Sequence, residues 1–133
     1  MYYSKVFSAT FDSMEKIIPW ITQHIPEVYV ENIGRHKVEL ALEELFVNII
    51  EHGYKRLAHP IFIIIKPAND HFQCEIRDFA PPFNPLKHVS FDSIKDLESQ
   101  PIGGQGIKLI KAVFENLDYC FMNEMNVLRL KLG

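Results

Sequence analysis

The sequence predicts an α+β two-layer sandwich, in which a mixed, mostly antiparallel sheet carries its helices on one face. The inferred order of elements is strand, helix, helix, strand, strand, loop, helix, strand, strand. Strands that do not alternate strictly with helices disfavour a wholly parallel, doubly wound sheet. The chain has 133 residues, of which 47% are hydrophobic and 23% charged, close to the average for globular proteins. We therefore expect residues 1–133 to form a single domain.

The first half of the chain predicts one strand and two helices. The strand is expected at residues 5–10, followed by a helix at residues 12–25. Pro19 lies inside that helix, so a kink or a late start is expected. A second helix is predicted at residues 32–52, which contain no proline, with Gly53 as its stop. Its apolar stripe, at spacings of four, three and four, is Val38, Leu42, Leu45 and Ile49.

The second half predicts a hairpin, a long loop, a helix and two closing strands. Residues 61–65 and 72–77 are rich in β-branched and aromatic side chains and flank a turn-rich stretch, which is typical of a β-hairpin. Prolines punctuate residues 78–102, so a long loop is expected there, with a possible short helix at residues 91–98. The third long helix is expected to start near Gly104. Two strands close the chain, at residues 117–122 and 127–132.

Charge and cysteine content argue against several functional classes. Fourteen basic against 17 acidic residues give a formal net charge of -3, which disfavours bulk attraction to nucleic acid or anionic membrane. Cys74 and Cys120 lie far apart and form no CxxC pair, so neither a disulfide framework nor a zinc site is expected. No signal peptide or membrane-spanning run is visible. We therefore expect a cytoplasmic protein without a direct nucleic-acid or membrane partner.

A polar stripe interrupts the second predicted helix. Glu44, Asn48 and His52 are four residues apart, so they share one helix face. A buried amide such as that of Asn48 needs partners, which magnesium or a phosphate network can supply. A carboxylate one turn away can accept a hydroxyl proton or orient a water. The alternative is a solvated polar stripe, with His52 as a helix-end residue.

A second candidate site lies where the strand at residues 72–77 ends. The chain continues as Asp78-Phe79-Ala80-Pro81-Pro82-Phe83-Asn84-Pro85, an aspartate followed by a proline-set loop. A carboxylate there can accept a hydrogen bond from the amino group of a purine, and apolar neighbours can sandwich the ring. The alternative is an aspartate that terminates the sheet or caps a turn.

Three glycines, Gly103, Gly104 and Gly106, open the last predicted helix. Glycines allow close backbone approach, and the N–H groups at a helix start attract phosphate. The segment is not a Walker A loop, because no Lys-Ser/Thr follows its last glycine, and no strand leads directly into it as in a Rossmann fingerprint. The alternative is an ordinary flexible turn into a helix.

The order of a Glu-x-x-x-Asn helix, a strand-end aspartate loop, a long loop and a Gly-x-Gly helix start resembles the GHKL, or Bergerat-fold, ATP-binding domain. Within that group, Glu44-Leu-Phe-Val-Asn48-Ile-Ile-Glu-His52-Gly-Tyr54 is most similar to the anti-sigma factor serine/threonine kinases. The Asp-x-x-x-Pro-Phe-x-Pro loop at Asp78 and the Gly-Gly-x-Gly at Gly103 carry the same resemblance. It covers nearly the whole chain and implies the Bergerat fold, with ATP and Mg2+ as ligands.

The resemblance also implies a role for each residue of these motifs. Glu44 would be the general base, Asn48 would hold Mg2+ on the triphosphate, and Asp78 would bind the adenine amino group. Residues 85–102 would form a lid over ATP. The other nucleotide contacts that the resemblance implies are His52, Ala80, Phe83, Gly103, Gly104, Gly106 and Asn126.

The implied activity is phosphorylation of an anti-sigma factor antagonist, a STAS-domain protein, by an anti-sigma factor that also sequesters a sigma factor and forms a homodimer. Two departures from the family pattern support an alternative. Ala80 stands where the family usually has glycine, and residues 85–102 contain lysines but no arginine. The alternative is an ATP-binding interaction module of the same fold without kinase activity, and a third hypothesis is a structural domain that binds no nucleotide.

Overall fold

The computed structural model describes residues 1–55, 57–87 and 101–133, without the side chains of residues 101–105. The described strands form one five-stranded sheet of order β1-β2-β3-β5-β4, in which every pairing is antiparallel. The predicted α+β class is therefore confirmed, and so is the predicted hairpin, which is β2 and β3. The strands are β1 Tyr3–Ser8, β2 Pro60–Pro67, β3 Phe72–Asp78, β4 Asn116–Met122 and β5 Met125–Leu132.

Four α-helices accompany the sheet in the described part of the chain. The first, α1, is shorter than predicted and keeps Pro19 inside it. Most of the predicted lid, and the short helix predicted at residues 91–98, lie outside the described residues. The helices are α1 Met14–Thr22, α2 Glu27–Ile33, α3 Arg35–Asn48 and α4 Pro101–Val113.

The prediction of one continuous helix over residues 32–52 was wrong. Gly34, with φ of 103°, separates α2 from α3, because this left-handed backbone angle suits glycine and interrupts a right-handed helix. At the other end, α3 gives way to a π-helical turn at Ile49–Gly53, and the N–H of Tyr54 donates to the carbonyl of Ile49 over 2.8 Å. Such wider turns are frequent at functional sites.

The core lies between the sheet and the helices. Alternate residues of β2, namely Ile61, Ile63 and Ile65, are fully buried, as the two-residue period of a strand predicts. Each fully buried isoleucine stabilises the fold by about 1.5–3 kcal/mol. The apolar stripe predicted for the second helix is also buried, as Val38, Leu42 and Leu45 of α3 and Ile49 of the π-helical turn each expose 4% or less. This packing fixes which face of α3 points away from the core.

Both cysteines are free, as expected. Cys74 is buried in the core, where burial raises the pKa of its thiol, so it behaves as a small apolar residue. No helix in the described ranges is long and apolar enough to cross a membrane.

His24 joins the end of α1 to the edge strand β1. Its ring stacks on that of Tyr3 with centroids 4.2 Å apart and meets Trp20 edge-on at 5.3 Å. Burial lowers the pKa of His24 below its ordinary value of 6.5. A base with a lower pKa in the folded state stabilises the fold while it is neutral. The contribution of neutral His24 to stability is therefore present above the pKa that the side chain has in the unfolded chain. It is lost as the pH falls through the lower pKa of the folded protein.

We expect the melting temperature of the wild type to fall more steeply than that of His24→Phe between about pH 8 and pH 5, because phenylalanine keeps the aromatic contacts and does not titrate. Thermal unfolding followed by circular dichroism at several pH values measures the difference. His36→Phe, at an exposed position of α3, serves as the matched control and should keep the wild-type slope. Equal slopes for the wild type and His24→Phe would contradict this role.

Candidate functional site

The adjacent ends of β3 and β5 bring Asp78 and Asn126 together. The two residues are paired across the sheet, and each exposes only 5% of its surface. The Asp78 carboxylate accepts three hydrogen bonds, from the Tyr54 hydroxyl at 2.5 Å, the Ala80 N–H at 2.9 Å and the Asn126 amide at 2.9 Å. Hydrogen bonds from neutral donors satisfy a buried carboxylate that would otherwise be costly to bury.

Asn126 organises the loop that follows Asp78. Besides its bond to Asp78, its side-chain nitrogen donates to the carbonyls of Ala80 at 3.0 Å and Pro81 at 3.1 Å. Its side-chain oxygen accepts from the Phe83 N–H at 3.0 Å and the Tyr119 hydroxyl at 2.5 Å. Both ends of the amide are thus engaged within the protein. Asn126 lies at the predicted site and positions the carboxylate and the loop beside it.

Ala80 does not crowd the space in front of Asp78. Its side chain belongs to the hydrophobic core and is 1% exposed. It is also not among the described residues with a left-handed backbone, so this position does not require glycine. The departure from the family pattern at Ala80 is therefore accommodated by placing the methyl group in the core.

A small cavity of about 10 Å³ lies beside Asp78. That volume is on the order of one water molecule. The Phe83 ring closes it from one side and lies against the backbone of Gly53, where an added Cβ would come within 2.7 Å of the ring. A purine ring is larger than this cavity, so side chains around Asp78 would have to move for a purine to bind in it. The cavity is lined by Ile49, Tyr54, Ile76, Asp78, Phe83, Pro85, Tyr119, Asn126 and Leu128.

Glu44 and Asn48 form a second part of the site, one turn apart on α3 and both half-buried. The Glu44 carboxylate lies against Gly106 of α4. The contact is close enough that a Cβ added to this glycine would come within 2.8 Å of Glu44 Oε2. Two sequence-predicted residues from distant segments are thereby brought into contact. His52 lies in the π-helical turn, whose wider path shifts it from the regular stripe of Glu44 and Asn48.

The glycine segment lies one turn deeper in its helix than predicted. α4 begins at Pro101 rather than near Gly104, and proline suits the first turn of a helix because the N–H that it lacks has no partner there. Gly103 and Gly104 consequently fall within the first turn, where backbone N–H groups have no intrahelical acceptor. Their proximity to phosphate stays a prediction.

The family model of the histidine kinase-like ATPase domain matches residues 7–132 of the chain. This match spans all five strands except the start of β1, together with both parts of the site. The chain belongs to the histidine kinase-like ATPase domain family. No curated protein shows a significant similarity to it.

Membership of the histidine kinase-like ATPase family makes ATP the implied ligand of the site. An adenine amino group is a hydrogen-bond donor, and the Asp78 carboxylate, with three donors already bound to it, can only accept. The two groups are therefore chemically complementary. Asn48 directly precedes Ile49, which lines the cavity beside Asp78, and Glu44 lies one turn earlier on α3.

Sequence reasoning missed Tyr54 and Tyr119, the two hydroxyl groups of this site. Tyr54 directly follows His52 and Gly53, and this place at the end of the motif was the feature of the sequence that could have indicated it. Tyr119 lies on β4, and its contact with Asn126 arises from pairing between β4 and β5. Nothing in the local sequence of β4 indicates that contact.

Proposed function

We propose that this histidine kinase-like ATPase domain binds MgATP and transfers the γ-phosphoryl group to a serine or threonine of an anti-sigma factor antagonist. The observation that carries the proposal is the placement of Glu44 and Asn48 on one face of α3, with the Glu44 carboxylate against Gly106 of α4. The N-terminal turn of α4, which contains Gly103 and Gly104, favours phosphate oxygens, and Asp78 favours the adenine amino group.

Asn48 fits the part of a magnesium ligand through its amide oxygen. Magnesium prefers oxygen ligands, keeps several waters and is commonly held jointly with substrate phosphates. Within the described residues, no group of three or more His, Cys, Asp or Glu side chains could hold a metal ion. A magnesium ion held by one amide oxygen, phosphate oxygens and water needs no such cluster. When bound, magnesium would neutralise negative charge on the triphosphate.

In the proposed reaction Glu44 accepts the proton of the acceptor hydroxyl. The hydroxyl oxygen forms a bond to the γ-phosphorus, the bond from that phosphorus to the bridging oxygen breaks, and ADP leaves with the electron pair. The proton moves to a Glu44 carboxylate oxygen. The contact with Gly106 requires that position to lack a side chain, because a methyl group would displace the carboxylate.

Asn48→Ala should remove the dependence of ATP binding on magnesium. We expect the affinity for ATP to fall about tenfold or more when magnesium is present, and to equal that of the wild type in EDTA. Isothermal titration with and without magnesium measures both quantities. Asn32→Ala, at an exposed position of α2, is the matched control and should behave as the wild type. An Asn48→Ala protein that retains the full magnesium effect would exclude Asn48 as a ligand.

The proposal includes a sigma factor as a second partner, sequestered when the STAS-domain antagonist is phosphorylated, a homodimeric state and a cytoplasmic location. These follow from the resemblance of the Glu44–Tyr54 motif and the Asp78 loop to the anti-sigma factor kinases. Incubation with γ-labelled ATP and candidate antagonists tests the activity, because label should appear on a serine or threonine of one antagonist. Co-elution with a sigma factor in size-exclusion chromatography tests the second partner.

The alternative is a regulatory module that binds ATP and changes a partner surface without phosphoryl transfer. The absence of arginine from residues 85–102 favours it, because lysine does not reproduce the bidentate contact of arginine with phosphate. Saturable ATP binding without a phosphorylated product in any antagonist mixture would support this alternative over the kinase.

A further inference from the structure

We infer that Tyr54 is a positioning residue that fixes the Asp78 carboxylate and makes the pocket selective for a 6-amino purine over a 6-oxo purine. The inference rests on the proposed function, because it concerns the nucleotide that this site would bind. Tyr54 closes the motif that begins at Glu44, but the resemblance gives it no role.

Both ends of Tyr54 are held in place. The side chain exposes only 3% of its surface, and its hydroxyl donates to Asp78 Oδ2 over 2.5 Å. Its backbone N–H donates to the Ile49 carbonyl over 2.8 Å and closes the π-helical turn, and its ring lies 5.0 Å from that of His59. The turn at the end of α3 therefore determines where the hydroxyl points.

The hydrogen bonds around Asp78 leave one direction for a ligand. Oδ1 accepts from the Ala80 N–H and from the Asn126 amide, so its two lone-pair sites are engaged. Oδ2 accepts only from Tyr54 among the contacts of the described residues, which leaves one lone-pair site. Asp78 and Tyr54 both line the small cavity, so Oδ2 is the carboxylate oxygen with a site left for a ligand in an enlarged cavity.

Tyr54 adds a second acceptor next to Oδ2. Burial and the neighbouring Asp78 carboxylate raise the pKa of Tyr54, so its hydroxyl keeps its proton at neutral pH. That proton is committed to Asp78, and the hydroxyl oxygen can offer only lone pairs to a ligand. An amino group with two N–H bonds suits two adjacent acceptors. A 6-oxo group would face two oxygens without a donor, and such unpaired buried acceptors are strongly disfavoured.

Tyr119 provides an internal control for this argument. It lines the same cavity, and its hydroxyl donates over 2.5 Å to Asn126 Oδ1 instead of to Asp78. Loss of the Tyr119 hydroxyl would loosen Asn126 and the Phe83 backbone without removing an acceptor next to Asp78 Oδ2. Its removal should therefore affect nucleotides with either 6-substituent to a similar extent.

The test compares Tyr54→Phe with Tyr119→Phe by titration with MgATP and with the magnesium complex of inosine triphosphate, which replaces the 6-amino group by an oxo group. We expect the wild type to prefer ATP, and Tyr54→Phe to reduce the ratio of the two affinities about tenfold or more. Tyr119→Phe should leave that ratio unchanged. Melting temperatures of both variants establish that they are folded.

An unchanged affinity ratio in folded Tyr54→Phe, with normal ATP binding by the wild type, would overturn the inference alone. Equal affinity of the wild type for the two nucleotides would also overturn it and leave the proposed kinase intact. Failure of the wild type to bind either nucleotide would instead overturn the proposed function, and with it the selectivity assigned to Tyr54.

Discussion

Replacement of Asp78 by asparagine is expected to reduce ATP affinity by about 100-fold or more, because it removes a charged acceptor whose hydrogen bonds are each worth about 1.5–3 kcal/mol. Asparagine keeps the shape of the side chain but turns one oxygen into an NH2 group. If that group takes the place of Oδ1, it faces the N–H groups of Ala80 and Asn126. If it takes the place of Oδ2, it faces the Tyr54 hydroxyl and the proposed position of the adenine amino group. Neither orientation reproduces the acceptor pattern of the carboxylate.

Isothermal titration of the wild type and Asp78→Asn with MgATP measures this effect. Asp70→Asn is the matched control, because Asp70 lies in the exposed turn between β2 and β3. The ATP affinity of this variant should equal that of the wild type. The melting temperature of Asp78→Asn separates a lost contact from a lost fold. Wild-type affinity in a folded Asp78→Asn protein would show that the base does not bind at Asp78. Absence of ATP binding in the wild type would limit the family likeness to the fold.

Local sequence signals predict the sheet of this protein better than its helices. The isoleucine-rich run of β2 buries one face, and this two-residue period can be read without knowledge of partners. The boundaries within residues 27–53 depend on Gly34 and on the π-helical turn. The apolar stripe from Val38 to Ile49 begins after Gly34 and continues past the end of α3, so it indicates neither boundary. Such a stripe reflects burial and carries no information on backbone hydrogen bonding.

The candidate site was predictable to the extent that its residues lie in short motifs. Glu44 and Asn48 share a helix face by their spacing alone, and their half-buried position fits that prediction. The hydroxyl of Tyr54 reaches Asp78 across 24 residues, and that of Tyr119 reaches Asn126 through strand pairing. Contacts of this kind arise from tertiary packing, so no periodicity in the sequence indicates them.

The geometry around Phe83 adds a conformational requirement to the nucleotide binding that we propose. The Phe83 backbone is held by Asn126 and Tyr119, while its ring lies against Gly53 and reduces the cavity beside Asp78 to about 10 Å³. These hydrogen bonds hold the backbone N–H and not the ring, so we expect rotation of the ring to open the cavity. We therefore expect the apparent affinity for ATP to be the intrinsic affinity reduced by the fraction of molecules with an open pocket.

Glu44→Ala is expected to lower the rate of phosphoryl transfer about 100- to 10,000-fold, the range that a positioned general base contributes. ATP affinity should change little, because the assigned role of Glu44 concerns the acceptor hydroxyl and not the nucleotide. Alanine is also a better helix former than glutamate, so α3 should tolerate the change. Transfer of labelled phosphate to a cognate antagonist gives the rate, and titration with MgATP gives the affinity.

Glu43→Ala separates the effect of charge on α3 from the effect of position. Glu43 is the preceding residue and is exposed, whereas Glu44 contacts Gly106 of α4. Both variants remove one carboxylate from the same turn, but only Glu44→Ala should lose activity. Full activity of Glu44→Ala would exclude it as the base. Loss of ATP affinity together with activity would assign Glu44 instead to the contact between α3 and α4, because a base that acts only on the acceptor hydroxyl leaves nucleotide binding intact.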